Sequence, residues 1–181
     1  MFLATTQKGS RMNWQDRTTV IKGNLGEKLV NDFLINKGYI PYSPDVAGAH
    51  PFDRLVASKD KKKIFIADAK AKAMRRAYPD TGINITHYNE YIFISTKYGI
   101  DVFIFFVDEE NEKIYGNLLR KLDEPQTITV RGMEILYPLV QGNIRYFPMV
   151  NMLSIADIPT EEAAKMRELT TKNIKYLPRK S

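Results

Sequence analysis

His50-Pro51-Phe52-Asp53-Arg54-Leu55-Val56-Ala57, a lysine-rich turn from Ser58 to Lys63, and Ile64-Phe65-Ile66-Ala67-Asp68-Ala69-Lys70 form the stretch that decides the fold. Two short strand-like runs joined by a polar turn predict a β-hairpin. In a hairpin the start of the first strand lies beside the end of the second. Asp53 opens one run and Asp68 closes the other, so two carboxylates distant in sequence meet at one end of a sheet. Lys70, two residues past Asp68, faces the same side while the strand lasts. Two acids with an ammonium beside them suit a divalent cation. The plainer alternative is that Asp53 is a turn residue and that Asp68 and Lys70 form a surface ion pair. Against it, Ile64 to Ala67 is apolar, so Asp68 emerges directly from a buried strand.

Outward from the hairpin, the preceding segment predicts a helix from Thr19, with Leu25, Leu29, Val30, Phe33 and Leu34 on one side and Gly38 as its stop. Gly26 lies in that stripe, where a missing side chain lets the helix approach a sheet closely. Glu27 falls at the stripe's edge, and on helical spacing alone an ordinary surface glutamate is favoured. Tyr39 to Tyr42 predicts a short strand. After the basic run Lys70-Ala71-Lys72-Ala73-Met74-Arg75-Arg76, the segment Tyr78 to Gly82 has turn composition and predicts a loop. Residues Ile83 to Tyr98 predict a helix with Asn84 as cap, Gly99 as stop and an inward stripe of Ile85, Tyr88, Ile92 and Ser95. Val102 to Val107 is apolar throughout and predicts a central strand buried on both faces. Short strands follow at Lys113–Leu119, Thr127–Val130, Met133–Leu139 and Ile144–Val150, then a helix from Pro159 to about Leu169 capped by Thr160.

Composition narrows the chemistry. The 181 residues suit one domain, expected over 19–170, between a flexible arm at 1–18, docked locally by Trp14, and a basic tail at 171–181. No apolar run approaches the roughly 20 residues of a membrane-spanning helix, and the start of the chain lacks a secretory pattern. With no cysteine, disulfides and thiolate metal sites are excluded, which fits a reducing cytosol and a cytoplasmic protein. Only His50 and His87 offer imidazole, so any metal is held by oxygen, as magnesium, manganese or calcium would be. The net charge of +6 is concentrated in lysine and arginine clusters, an attraction for nucleic acid or anionic surfaces.

Gly23-Asn24-Leu25-Gly26-Glu27, Pro51-Phe52-Asp53 and Asp68-Ala69-Lys70, in the order helix, hairpin, helix, buried strand, resemble the PD-(D/E)XK nuclease superfamily over about Lys22 to Val107. Two departures stand out: Phe52 separates the proline from Asp53, and the second acid is aspartate where glutamate is common. The resemblance implies an α/β, restriction-endonuclease-like fold: a central mixed β-sheet flanked by helices, with an additional antiparallel strand region after residue 110. It implies a magnesium-dependent nuclease, with manganese as a substitute, most naturally an endodeoxyribonuclease of restriction, repair or junction-resolving type. In that reading Asp53 and Asp68 hold the metal with the carbonyl of Ala69, and Lys70 orients or deprotonates the attacking water. Glu27 contributes through a water or a second metal, and Lys72, Arg75 and Arg76 hold the nucleic acid. His50 would support Asp53, and His87 and Tyr88 would reach the phosphate. A homodimer fits an enzyme that cuts two strands. Two alternatives stay open: an inactive nucleic-acid-binding module with the same fold, and an assembly protein whose basic face meets an acidic partner.

Overall fold

The computed structural model describes residues 17–43 and 52–176. The arm up to Asp16 with Trp14, the loop carrying Val46–Ala49 and His50, Pro51, and the last five residues lie outside them. The elements are α1 (Thr18–Asn36), β1 (Ile40–Tyr42), β2 (Arg54–Ala57), β3 (Ile64–Lys70), β4 (Asp80–Asn84), α2 (Ile85–Tyr98), β5 (Asp101–Asp108) and β6 (Lys113–Leu118). Then come α3 (Leu119–Leu122), β7 (Gln126–Val130), β8 (Met133–Tyr137), β9 (Leu139–Gln141), β10 (Ile144–Pro148), β11 (Leu153–Asp157) and α4 (Thr160–Tyr176). The order helix, hairpin, helix, strand that carried the resemblance is the order observed.

A six-stranded sheet, β1-β2-β3-β5-β6-β11, forms the centre. Its one parallel pair is β3–β5, and every other neighbour is antiparallel. A parallel pair needs a crossover, and α2 supplies it with caps the sequence spells out. Asn84 accepts a hydrogen bond from the Thr86 N–H, and Gly99 turns left-handed at φ 66° to end the helix. β5 sits in the middle, walled by apolar side chains on both faces. On one face α1 and α4 close over Val30, Leu34, Ala67, Phe105, Val107 and Met166. On the other, α2 and α3 cover Ile66, Tyr91, Ile104, Phe106 and Leu122.

Several expectations need correction. Asp80 to Asn84 is a strand, because β10 pairs with it from Ile144 to Pro148 and β9 adds a third strand. Ile83 therefore belongs to β4, and α2 begins two residues later. The inward face of α2 is rotated from the expected stripe: Tyr91 is buried while Ile92 is 37% exposed. The strand β11 was not anticipated; it completes the main sheet against β6. Thr160 opens α4 instead of capping it, its hydroxyl hydrogen-bonded to Glu112, and the helix runs beyond residue 170 to Tyr176.

Gly26 shows why α1 lies so close to β3. A β-carbon there would sit 3.0 Å from the Ala71 β-carbon and 3.6 Å from Val107. Gly23, one turn earlier, has nothing within 4 Å. Gly26→Val should cost about 1–3 kcal/mol through overpacking, whereas Gly23→Ala should gain about 0.5–1 kcal/mol from helix propensity. Urea unfolding of the two variants checks this pair of opposite signs.

Candidate active site

The β2–β3 register sets Arg54 opposite Ala67 and Leu55 opposite Ile66. One step further along that ladder, Asp53 stands beside Asp68. The Asp53 carboxylate then reaches across the pair: its Oδ2 accepts the Ala69 N–H at 2.7 Å. On β3, Asp68 is 1% exposed, and the parallel strand β5 flanks it at Ile104. Lys70, on the same face, places Nζ 2.7 Å from Asp68 Oδ2. That is a direct ion pair, and it is the charge partner of a carboxylate otherwise buried in the sheet.

Electrostatics tie four groups into one site. The Asp68 carboxyl is pushed up to about 6, chiefly by burial, with the Lys70 charge opposing and the Asp53 charge adding to the shift. Glu27 is raised by burial and then by Asp53, while Arg54 and Lys70 pull it down. Its carboxylate lies 4.0 Å from the Arg54 guanidinium and remains partly open to water. Burial also raises the Tyr91 hydroxyl, followed by the Asp68 charge and a hydrogen bond to it. Tyr91 thus braces Asp68 from α2, with Lys70 Nζ 6.0 Å from its ring. The sequence reading missed Tyr91 because it phased α2 one residue away; the only available signal was a tyrosine four residues after His87 on a helix with two apolar phases.

The basic residues divide. Arg76 is exposed. Arg75 is turned into the protein: its guanidinium grips the fully buried Asp80 at 2.6 and 2.5 Å, bonds Gln141 at 3.0 Å and stacks 3.9 Å from the Tyr146 ring. Tyr137 donates a third hydrogen bond to Asp80. Lys72 donates to the Gly82 carbonyl at 3.0 Å. These bonds fasten β4 to the main sheet and divert Arg75, and in part Lys72, from phosphate. Tyr88 likewise points away, donating to Asp123 at 2.8 Å. His87 is exposed, its ring centroid 6.3 Å from that of Tyr91.

Among the described residues no three carboxylate or imidazole groups converge into a cage. The donors present nevertheless fit a hard cation of small protein-ligand demand. Magnesium keeps several waters and takes one or two carboxylates plus substrate oxygens, and the buried Asp68 carboxylate, its pKa raised by burial and its charge paired with Lys70, lies beside Asp53.

No protein-family model matches the chain, and no curated protein matches it. Two solved structures are similar in fold. Hjc, a Holliday junction resolvase from Archaeoglobus fulgidus, is 12% identical, with 78% of this chain and 99% of that one covered at a TM-score of 0.49. D212, a nuclease from a fusselovirus, is 12% identical, with 88% and 98% covered at 0.45. Neither likeness is near enough to transfer a residue or a reaction.

Asp68 binds its proton more tightly in the folded chain than at the ordinary value of 3.8, so ionising it costs stability as pH rises through about 6. Asp68→Asn should therefore melt higher than wild type at pH 8, by roughly 3–6 °C for a gain of about 1.5 kcal/mol. The margin should shrink as pH falls towards 4. Melting curves across that range check it; a margin that does not change with pH contradicts it.

Proposed function

We propose that the chain is a magnesium-dependent nuclease, with manganese as a substitute, that hydrolyses internal phosphodiester bonds of DNA. The observation that carries this reading is the buried carboxylate of Asp68 against the Lys70 ammonium, with Asp53 clasped at the neighbouring strand end. Asp53 and Asp68 would hold the cation, together with the carbonyl of Ala69, and Glu27 would join through water. Bound magnesium polarises the phosphodiester and lowers the pKa of a water. Lys70, released from Asp68 by the cation, would orient that water or neutralise charge building on the phosphoryl oxygens. Water oxygen bonds to phosphorus as the bond to the sugar oxygen breaks; the attacking water gives up a proton to solvent, and the leaving oxygen takes one up from solvent. Arg76, and Lys72 where it is released from Gly82, meet the backbone.

A second reading, a binding module without catalysis, is favoured by the Lys70–Asp68 ion pair, which neutralises the site without metal. Incubation with supercoiled plasmid and branched DNA separates the two. Magnesium-dependent nicking that falls on the order of a thousandfold in Lys70→Ala and Asp68→Ala, with binding retained, supports the nuclease. Wild-type binding without cleavage under any divalent ion supports the module.

A further inference from the structure

Two hollows among the described residues lie away from the acids. One of about 760 Å³ and another of about 640 Å³ adjoin and share Phe33, Tyr39 and Ser58. They lie at the opposite end of the main sheet, where β3 and β5 begin. Six residue steps separate Ile64 from Lys70, about 20 Å of strand.

The sheet is bare there for a physical reason. α4 is drawn to the other end, where Arg167 donates to the Glu109 carbonyl at 2.5 Å and to the Glu112 carboxylate at 2.9 Å. Thr170 donates to the Glu109 carboxylate at 3.1 Å. The floor is aromatic: Phe33, Tyr39, Phe65 and Phe103, each partly buried, lie over the buried Phe105 in a chain with centroids 4.5–6.4 Å apart. Ile64 and Leu153 at its margins are each 55% exposed. Around it stand five cations, Lys37, Lys59, Lys62, Lys63 and Arg120, against two carboxylates. Both carboxylates are engaged within the protein. Asp60 accepts from Ser58 and the Lys62 N–H, and Asp101 from Arg120.

We propose that this groove docks an acidic amphipathic segment of a partner protein, apolar side chains on the phenylalanine floor and carboxylates against the lysine rim. The charge of the rim selects an anion, and the floor selects what kind. Duplex nucleic acid hides its bases and offers an apolar floor nothing. A single strand stacks bases on open ring faces, but these rings are packed against one another, Tyr39–Phe65, Phe33–Phe105, Phe65–Phe103 and Phe103–Phe105 meeting at 90°, 61°, 58° and 35°. Leucine and phenylalanine side chains of a helix fill such a surface, as helix-in-groove recognition requires. The groove lies far enough from Asp68 to leave cleavage chemistry untouched.

The test is a synthetic peptide with glutamates on one helical face and leucines on the other, titrated into the full chain and followed by methyl NMR. Shifts at Ile64, Leu153 and Ile155, with none at Leu55 and Ile94 on the other face, are expected. Lys62→Glu with Lys63→Glu, and separately Leu153→Asp, should each weaken binding by about tenfold or more, and nuclease activity should stay at the wild-type level. A peptide of the same composition in scrambled order should not bind. Three results overturn the proposal: shifts spread over the molecule, equal affinity of the scrambled peptide, or groove variants that lose DNA binding or break a self-associated dimer while keeping the peptide.

Discussion

The hydrogen bond from the Ala69 N–H to the Asp53 carboxylate, 2.7 Å long, is the contact on which the rest of the site depends. It forms because the β2–β3 register is fixed by side chains that alternate between two buried faces, so a slip of one residue would turn Ile66 and Asp68 to the wrong side. The same register sets Asp68 beside Asp53 and lets Lys70, two residues on, close over it. Burial chiefly, and the Asp53 charge after it, hold the Asp68 and Glu27 carboxyls above their ordinary values. Such a site is held by its scaffold against its own electrostatics, which is the condition in which a cation is most strongly drawn in.

The scaffold separates its two ends by charge and packing. At the strand ends carrying the acids, buried carboxylates tie the surroundings down: Asp108 accepts from Met74, Glu110 and Asn111, Glu109 receives Lys22 and Thr170, and Asp80 receives Arg75 and Tyr137. The loop after β3 and the helices α1 and α4 are thereby fixed where positional accuracy matters. The far end lacks such ties and keeps an aromatic surface open between lysines. One chain thus presents a polar, rigid end and an apolar, basic-rimmed end.

Much of this was legible from local signals. Asn84, Gly99 and Gly38 act through nearest-neighbour geometry, so the helix boundaries they set could be read directly. The Asp53–Asp68 juxtaposition followed from the length of the hairpin, and the close approach of α1 from a glycine in an apolar stripe. What escaped the reading depends on distant partners. Tyr78-Pro79-Asp80-Thr81-Gly82 has turn composition, yet Asp80 to Gly82 joins a strand because Tyr146, Phe147 and Pro148, more than sixty residues later, pair with it. Arg75 looked like a phosphate ligand because nothing local announces that Asp80 is buried and needs a counter-charge. Tyr91 escaped for a similar reason: a helix with two apolar phases reveals which one faces the sheet only when the sheet is present.

The most direct measurement is the anomalous scattering of a crystal grown with manganese. One peak is predicted about 2.1 Å from oxygens of both Asp53 and Asp68, with Lys70 displaced from Asp68 Oδ2. A peak elsewhere, or none while Asp68 stays paired with Lys70, would contradict the account.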